Sequence, residues 1–183
     1  MKKLILLLSF GLLTISQAQT TNAPRTYFDA FYATPDVVLV KGMSIIGTLS
    51  AQISYPVEVR AEQLTSLQTS NTVYAVSVRT RVSKHPQIDY IDYDELDGLI
   101  RGIHQMSQAD ASITPMDNFE VVYRTRSGLS LAKINVGTKM VIAMKSGDVN
   151  GQRNQMAAFV LDDFGRLLVS AKAKIDAVAQ NGP

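Results

Sequence analysis

The chain has 183 residues, with 18 lysines and arginines against 16 aspartates and glutamates and no cysteine. Without cysteine it has no thiol nucleophile, no thiolate metal site and no disulfide, so its stability rests on packing. Two of the lysines lie in a predicted signal peptide, which leaves 16 basic against 16 acidic side chains in the mature chain. This neutral balance argues against nucleic acid as a partner, because such binding draws on a positive charge.

Residues 1–18 have the three parts of a cleaved secretory signal peptide. Lys2 and Lys3 form the charged start, residues 4–15 are almost wholly apolar, and residues 16–18 (Ser-Gln-Ala) supply small side chains around the cleavage point. The apolar run is shorter than the roughly 20 residues that span a bilayer. We therefore predict export to the periplasm or the exterior, with no transmembrane segment in the mature chain.

The remainder divides into a short leading segment and one domain. Residues 19–36 are predicted as a flexible or covering segment, whose aromatic cluster at residues 27–32 covers the core. Residues 37–180 are predicted as a single α+β domain. Its first apolar runs, residues 37–41 and 44–46, indicate two short strands.

A hairpin is predicted next, from alternation of side chains with the period of a strand. In residues 53–63 three apolar positions face one way and three charged positions face the other: Val57, Val59 and Ala61 against Glu58, Arg60 and Glu62. Residues 73–83 repeat this alternation. The polar turn at residues 69–71 joins the two strands.

Residues 90–106 have the pattern of a strand end, an acidic turn and an amphipathic helix. Four apolar residues fall at the i, i+3, i+4 and i+7 positions of one helical face: Leu96, Leu99, Ile100 and Ile103. The acids at its start are predicted to supply the N-cap and the early acidic residues of this helix, as Asp92 with Glu95 or as Asp94 with Asp97. Their spacing does not fit a calcium loop, because the position that needs glutamate holds Ile103. We predict no metal site.

Gly98 and Gly102 are four residues apart within this predicted helix. Each costs a helix up to about 1 kcal/mol relative to alanine, so their presence predicts a close approach by another group. Packing against another element is one interpretation, and contact with a ligand or partner helix is the other.

The second half of the domain is predicted to be strand-rich and to end in a helix. Ser127 and Gly128 form a two-residue hairpin turn, and Asp162 or Asp163 is predicted to cap the final helix. Strands are predicted over residues 119–124, 129–136, 139–145 and 155–161, with a turn at Gly137 and Thr138 and an exposed loop at residues 146–154. The apolar face of the final helix is formed by Phe164, Leu167, Leu168, Ala171 and Ile175.

Two internal resemblances suggest related halves. Aligning Asp94 with Asp162 superimposes the apolar faces of the two helices, and residues 76–81 resemble residues 121–126 around Arg-Thr-Arg. Chance similarity between amphipathic elements is the alternative. The predicted fold is α+β: a twisted antiparallel sheet with two amphipathic helices packed on one face, in two related strand-strand-helix halves.

The usual signatures of catalysis are missing from the sequence. His85 and His104 have no partner at metal-ligand spacing. Ser130 and Lys133 match the Ser-x-x-Lys pattern, but on a strand two residues three apart point to opposite faces. Phosphate loops and dinucleotide fingerprints are also missing. We therefore predict a protein that is not an enzyme and needs no cofactor.

Four arginines form the most distinctive polar feature of the predicted strands: Arg79, Arg81, Arg124 and Arg126. If their two strands are neighbours, the guanidinium groups converge and can hold a carboxylate, a phosphate or an acidic partner. The alternative is a solvated sheet face on which glutamates pair with them across the strands, namely Glu58, Glu62 and Glu120.

Two functions follow as hypotheses. The first is an exported, non-enzymatic binding or interaction protein whose partner is an unknown protein or small molecule. The second is a carrier of a small apolar or amphipathic ligand, with a cavity between sheet and helices. That cavity is predicted to be lined by Tyr74, Val76, Tyr123 and Met140.

Overall fold

A computed structural model describes residues 25–50, 56–82, 85–137, 139–146, 154–156 and 160–181. The predicted signal peptide and most of the predicted loop at residues 146–154 lie outside these ranges. In chain order the elements of the first half are α1 (Tyr27–Tyr32), β1 (Leu39–Leu49), β2 (Val57–Ser66), β3 (Thr72–Val82), β4 (His85–Asp92), a 3-10 turn (Tyr93–Glu95) and α2 (Leu96–Gln108). Those of the second half are a 3-10 turn (Ala111–Ile113), β5 (Phe119–Arg124), β6 (Ser130–Val136), β7 (Lys139–Lys145), β8 (Asn154–Met156) and α3 (Val160–Gln180).

The strands form two antiparallel sheets, β1-β2-β3-β4 and β5-β6-β7-β8, in which each strand pairs with the next along the chain. The α+β antiparallel class is confirmed, with two sheets where one was predicted. Each sheet is followed by one helix, so the repeated unit is four strands and a helix. The helix resemblance joins equivalent elements, whereas the Arg-Thr-Arg resemblance joins the third strand of one sheet to the first strand of the other.

The helices link the two sheets through one shared core. Helix α3 packs against β1, β2 and β3 of the first sheet, while α2 packs against β5 of the second sheet and against α3. Each helix therefore lies on the sheet of the other half. The predicted apolar faces are buried in a single cluster with residues of both sheets, including Leu96, Leu99, Ile103, Phe164, Leu168, Ala171 and Ile175.

The two helix glycines make room for one aromatic side chain, Tyr123 of β5. A Cβ atom at Gly102 would lie 2.4 Å from Tyr123 Cδ2, which is closer than atoms can pack, and one at Gly98 would lie 3.3 Å from the Tyr123 hydroxyl oxygen. The predicted close approach is thus confirmed, and another element of the fold makes it.

Several predicted boundaries change. The two predicted strands at residues 37–41 and 44–46 form one strand, β1, interrupted by a bulge between Ile45 and Gly47. A bulge adds one unpaired residue and breaks the alternation that marks a strand. At the other end, α3 begins at Val160. Asp162 and Asp163 are therefore in its first turn, where they favour the helix dipole, and do not precede it.

Helix α1 covers the outer face of the first sheet, as the predicted covering role requires. Phe28 is buried there with Leu64 and Ala75. Asp92, at the end of β4, lies on the same face and accepts hydrogen bonds from the backbone N–H groups of Tyr27 at 2.8 Å and Phe28 at 3.0 Å, while Thr26 is the N-cap residue of the helix. These N–H groups have no partner within their own helix.

The prediction that Asp92 and Glu95 cap α2 is therefore wrong. Neither side chain makes a capping hydrogen bond to the elements that follow them. Asp92 instead accepts hydrogen bonds from the first turn of α1, and Glu95 accepts one from the backbone N–H of Arg126 at 2.8 Å. Of the predicted early acids, Asp97 is in the first turn of α2. The alternative capping residue Asp94 pairs with the Arg126 side chain. The acids are used by partners that are distant in sequence.

Beneath α1, Lys41 is enclosed by a carboxylate and three aromatic rings. Its Nζ lies 2.5 Å from Glu62 Oε2 and 2.9 Å from the hydroxyl of Tyr90. It also lies within 6 Å of the ring centroids of Phe28, Tyr32 and Tyr90. Burial acts to lower the pKa of Lys41, but the hydrogen bonds to Glu62 and Tyr90 outweigh it and the pKa is raised.

This cluster corrects the prediction that Glu62 lies on a solvated face. Its exposed fraction is 4%, because α1 and Lys41 cover it, and Ser77 donates a 2.5 Å hydrogen bond to its second oxygen.

Substituting Gly102 tests the close approach of Tyr123. We expect Gly102→Ala to lower the free energy of unfolding by about 1–3 kcal/mol, the usual cost of overpacking, although alanine favours the helix. The comparison variant is Gly98→Ala, whose added methyl group would lie 3.3 Å from the Tyr123 hydroxyl oxygen, a tight contact that a small shift of the ring relieves. It should cost less stability than Gly102→Ala, because the helix gain of up to about 1 kcal/mol offsets the smaller displacement. Urea denaturation measures both, and equal effects would contradict the packing described.

Removing the Lys41 charge tests the enclosed ion pair. Lys41→Met leaves the Glu62 carboxylate buried without its cation and should destabilise the fold by about 2 kcal/mol, below the 3–5 kcal/mol of fully buried pairs because Lys41 is partly exposed. The double variant Lys41→Met, Glu62→Gln should recover most of this loss. If the single and double variants are equally unstable in urea, the pair is not coupled as described.

The pH dependence of stability gives a second measure of Lys41. Its folded-state pKa is raised from 10.5, so its stabilising contribution is fully present below that pH and is lost as pH rises through the folded pKa. Above pH 10.5 the wild-type chain should lose stability more steeply than Lys41→Met.

Candidate anion-binding cleft

The structure separates the arginines that were predicted to converge. Strand β3 belongs to the first sheet and β5 to the second, so the two strands are not neighbours. Arg79 pairs with Glu58 on its own sheet, at 3.7 Å. The side chain of Arg81 lies outside the described part of the chain.

Arg126 connects the second sheet to the acidic turn of the first half. Its Nη2 lies 2.7 Å from Asp94 Oδ2, and its Nη1 lies 3.4 Å from Asp92 Oδ2. Its guanidinium also lies 5.0 Å from the centroid of the Tyr27 ring. The hydrogen bond to Asp94 is the main cause of a raised Arg126 pKa. The acids that resemble a calcium loop in sequence are thus partners of this arginine.

Arg124 has a different environment, because it precedes the hairpin turn and points away from the core. Side chains alternate along β5, so the inward Tyr123 places Arg124 on the outer face of the second sheet. The strand register pairs Arg124 with Ser130, and Ser130 with Lys145. These three residues form a row across three strands. From the usual strand spacing, the Cα atoms of Arg124 and Lys145 are about 10 Å apart.

This row forms one end of a concave surface that we call the outer cleft, with a volume of about 370 Å³. Within the described part of the chain, neither Arg124 nor Lys145 has an ion-pair partner. The next row of the sheet forms the middle of the cleft and is made of the small apolar residues Val122, Ala132 and Ala143. The outer cleft therefore has a cationic end and small apolar side chains in its middle, and Glu120 adds a carboxylate to the same lining.

Ser146 adds an unsatisfied hydroxyl at the cationic end. It directly follows Lys145, lines the outer cleft and is 5% exposed. Its Oγ is buried and has no hydrogen-bond partner among the described residues. A buried hydroxyl without a partner costs about 1–3 kcal/mol, and such groups in native structures call for an explanation. Together, the Arg124 guanidinium, the Lys145 ammonium and the Ser130 hydroxyl can donate to an oxyanion.

The four residues predicted to line a carrier cavity are not brought around one space. Val76 is fully buried in the core, and Tyr123 fills the groove at Gly102. Burial is the main cause of a raised Tyr123 pKa. Met140 is on β7 of the other sheet from Tyr74. Tyr74 lines an open groove of about 270 Å³ between the first sheet and the C-terminal part of α3.

Ser130 and Lys133 lie on opposite faces of β6, as predicted. Ser130 lines the outer cleft, whereas Lys133 is buried on the inner side and donates a 2.8 Å hydrogen bond to the carbonyl oxygen of Ser107 near the end of α2. This lysine satisfies a carbonyl that the end of the helix leaves open. The two residues therefore have separate roles.

Lys145 and Ser146 were not identified from the sequence. The predicted two-residue turn at Ser127 and Gly128 would pair Arg124 with Leu131. The observed turn has three residues, because Thr125 pairs with Leu129, and it places Arg124 opposite Ser130. Since a slip of one residue moves every side chain of a strand to the other face, the predicted register could not have placed Arg124 and Lys145 in one row.

Over the described ranges, His, Asp and Glu side chains nowhere form a group of three or more that could hold a metal ion. In the same part of the chain, no helix combines the length and the apolar character needed to cross a membrane. Comparison of the chain with protein-family models, curated proteins and solved structures found no match. The functional interpretation therefore comes from the residues of the outer cleft.

Proposed function

We propose that this is an exported, non-enzymatic binding protein whose outer cleft holds the anionic group of a small-molecule ligand. The observation that carries the proposal is the row Arg124–Ser130–Lys145, where two cations without ion-pair partners among the described residues face one concave surface. Export rests on the predicted signal peptide at residues 1–18.

The charge of the outer cleft is local. The mature chain is expected to be neutral, and its other well-placed cations have acidic partners, such as Glu58 for Arg79 and Asp94 for Arg126. Guanidinium and ammonium groups that lack such partners are suited to carboxylate and phosphate, which they bind through charge-assisted hydrogen bonds.

The outer faces of the two sheets differ in how they are covered, and this difference supports a binding role for the second sheet. On the first sheet, the cation Lys41 is neutralised by Glu62 and enclosed by α1. On the second sheet, within the described residues, no helix covers the outer face, and Arg124 is exposed. The open cleft has a volume within the range of small-molecule sites, roughly 300–1,000 Å³.

Charge removal at the cationic row tests this proposal. Acetate and inorganic phosphate, titrated at low ionic strength and followed by isothermal calorimetry or NMR, should bind the wild-type mature chain. Arg124→Gln and Lys145→Gln should each weaken binding tenfold or more, since a hydrogen bond to a charged group contributes about 1.5–3 kcal/mol.

Arg79→Gln is the matched control, because it removes the same type of charge from the other sheet. It should leave binding unchanged. The exposed position of Arg124 should make Arg124→Gln neutral for stability, which urea denaturation checks. Equal binding by the wild type, Arg124→Gln and Lys145→Gln would overturn the proposal.

A further inference from the structure

We infer that the ligand of the outer cleft is an amphipathic carboxylate, with its head on the cationic row and a short apolar body on the floor. This inference rests on the proposed function and adds the chemical class of the ligand. The observation behind it is the order of the rows on one continuous surface: two cations and a hydroxyl first, then small apolar side chains, then the Glu120 carboxylate at the far end.

The side chains that form the floor of the cleft are unusually small for the middle of a sheet. Ala132 is directly opposite Ala143, and Val122 is opposite Ala132 on the other side. Alanine is depleted in strands, where β-branched and aromatic residues are favoured. Two facing alanines, with exposed fractions of 5% and 3%, form a depression beside the longer side chains of Arg124 and Lys145. Larger residues at these positions would fill the cleft.

The dimensions limit the apolar body. Neighbouring rows on one face are two residues apart, or roughly 7 Å along the strands. A carboxylate held by Arg124, Ser130 and Lys145 therefore places its next few carbon atoms over Ala132 and Ala143. Val122, whose exposed fraction is 41%, forms one wall of apolar contact. A chain of about hexyl length covers this middle row, with strand dimensions as the scale.

The choice of ligands separates the contribution of the carboxylate head to binding from that of the apolar body. Acetate and hexanoate have the same carboxylate and differ only in the methylene groups that reach the floor. Because buried methylene groups favour binding additively, hexanoate should bind the wild-type mature chain on the order of tenfold or more tightly than acetate. Inorganic phosphate, which has no apolar body, reports on the cationic row alone.

Filling the floor tests the inference directly. Ala143→Leu should reduce the affinity for hexanoate to that for acetate, while acetate and phosphate binding stay at wild-type levels. Thr48→Leu is the matched control, since it adds a similar side chain at an exposed position of β1 on the other sheet, and it should change neither affinity. Val122→Thr keeps the shape of the side chain and should reduce the hexanoate preference even if Ala143→Leu fails to fold.

The outcomes separate the two levels of the proposal. If hexanoate and acetate bind the wild type equally, or if folded Ala143→Leu and Val122→Thr keep the preference, the inference is wrong. The proposed function then stands as long as Arg124→Gln and Lys145→Gln weaken acetate and phosphate binding. If none of acetate, hexanoate and phosphate binds the wild-type chain, both are wrong.

Discussion

The contact between Tyr123 and Gly102 is the constraint on which the arrangement of this molecule depends. It brings β5 of the second sheet against α2, the helix of the first half, at a distance that only glycine permits. The same contact sets the orientation of β5. Because Tyr123 points into the core, Arg124 points outward, and the hairpin register then places Ser130 and Lys145 beside it. Core packing thus determines which charges face the outer cleft.

The two halves have the same order of four strands and a helix, but their outer faces differ. Helices α2 and α3 each pack on the sheet of the other half and give the halves one common core. On the first sheet the outer face is closed by α1, whose first turn donates hydrogen bonds to the Asp92 carboxylate and under which Lys41 and Glu62 neutralise each other. On the second sheet the described residues leave the outer face open. This difference between a closed and an open outer face is the reason why the proposal places binding on the second sheet.

Much of the fold could be predicted from the sequence because its signals are local. Side-chain alternation predicts β2, β3 and β5, the helix period predicts α2 and α3, and the two helix glycines indicate a close contact. The missed features depend on tertiary partners. The acids Asp92 and Glu95 fit a helix cap by spacing, but Asp92 bonds to α1, more than 60 residues earlier. The convergence of Arg79 with Arg124 depended on sheet order, which local periodicity does not contain.

The most direct test of the account is the location of a bound carboxylate on the folded protein. In an NMR titration of the isotope-labelled mature chain with hexanoate, the account predicts that backbone shifts concentrate on residues 122–124, 130–132 and 143–146. These segments form the outer cleft and are contiguous only in the described sheet register. Saturable shifts centred on the groove beside Tyr74 and Ile175, or shifts spread evenly over the surface, would contradict it.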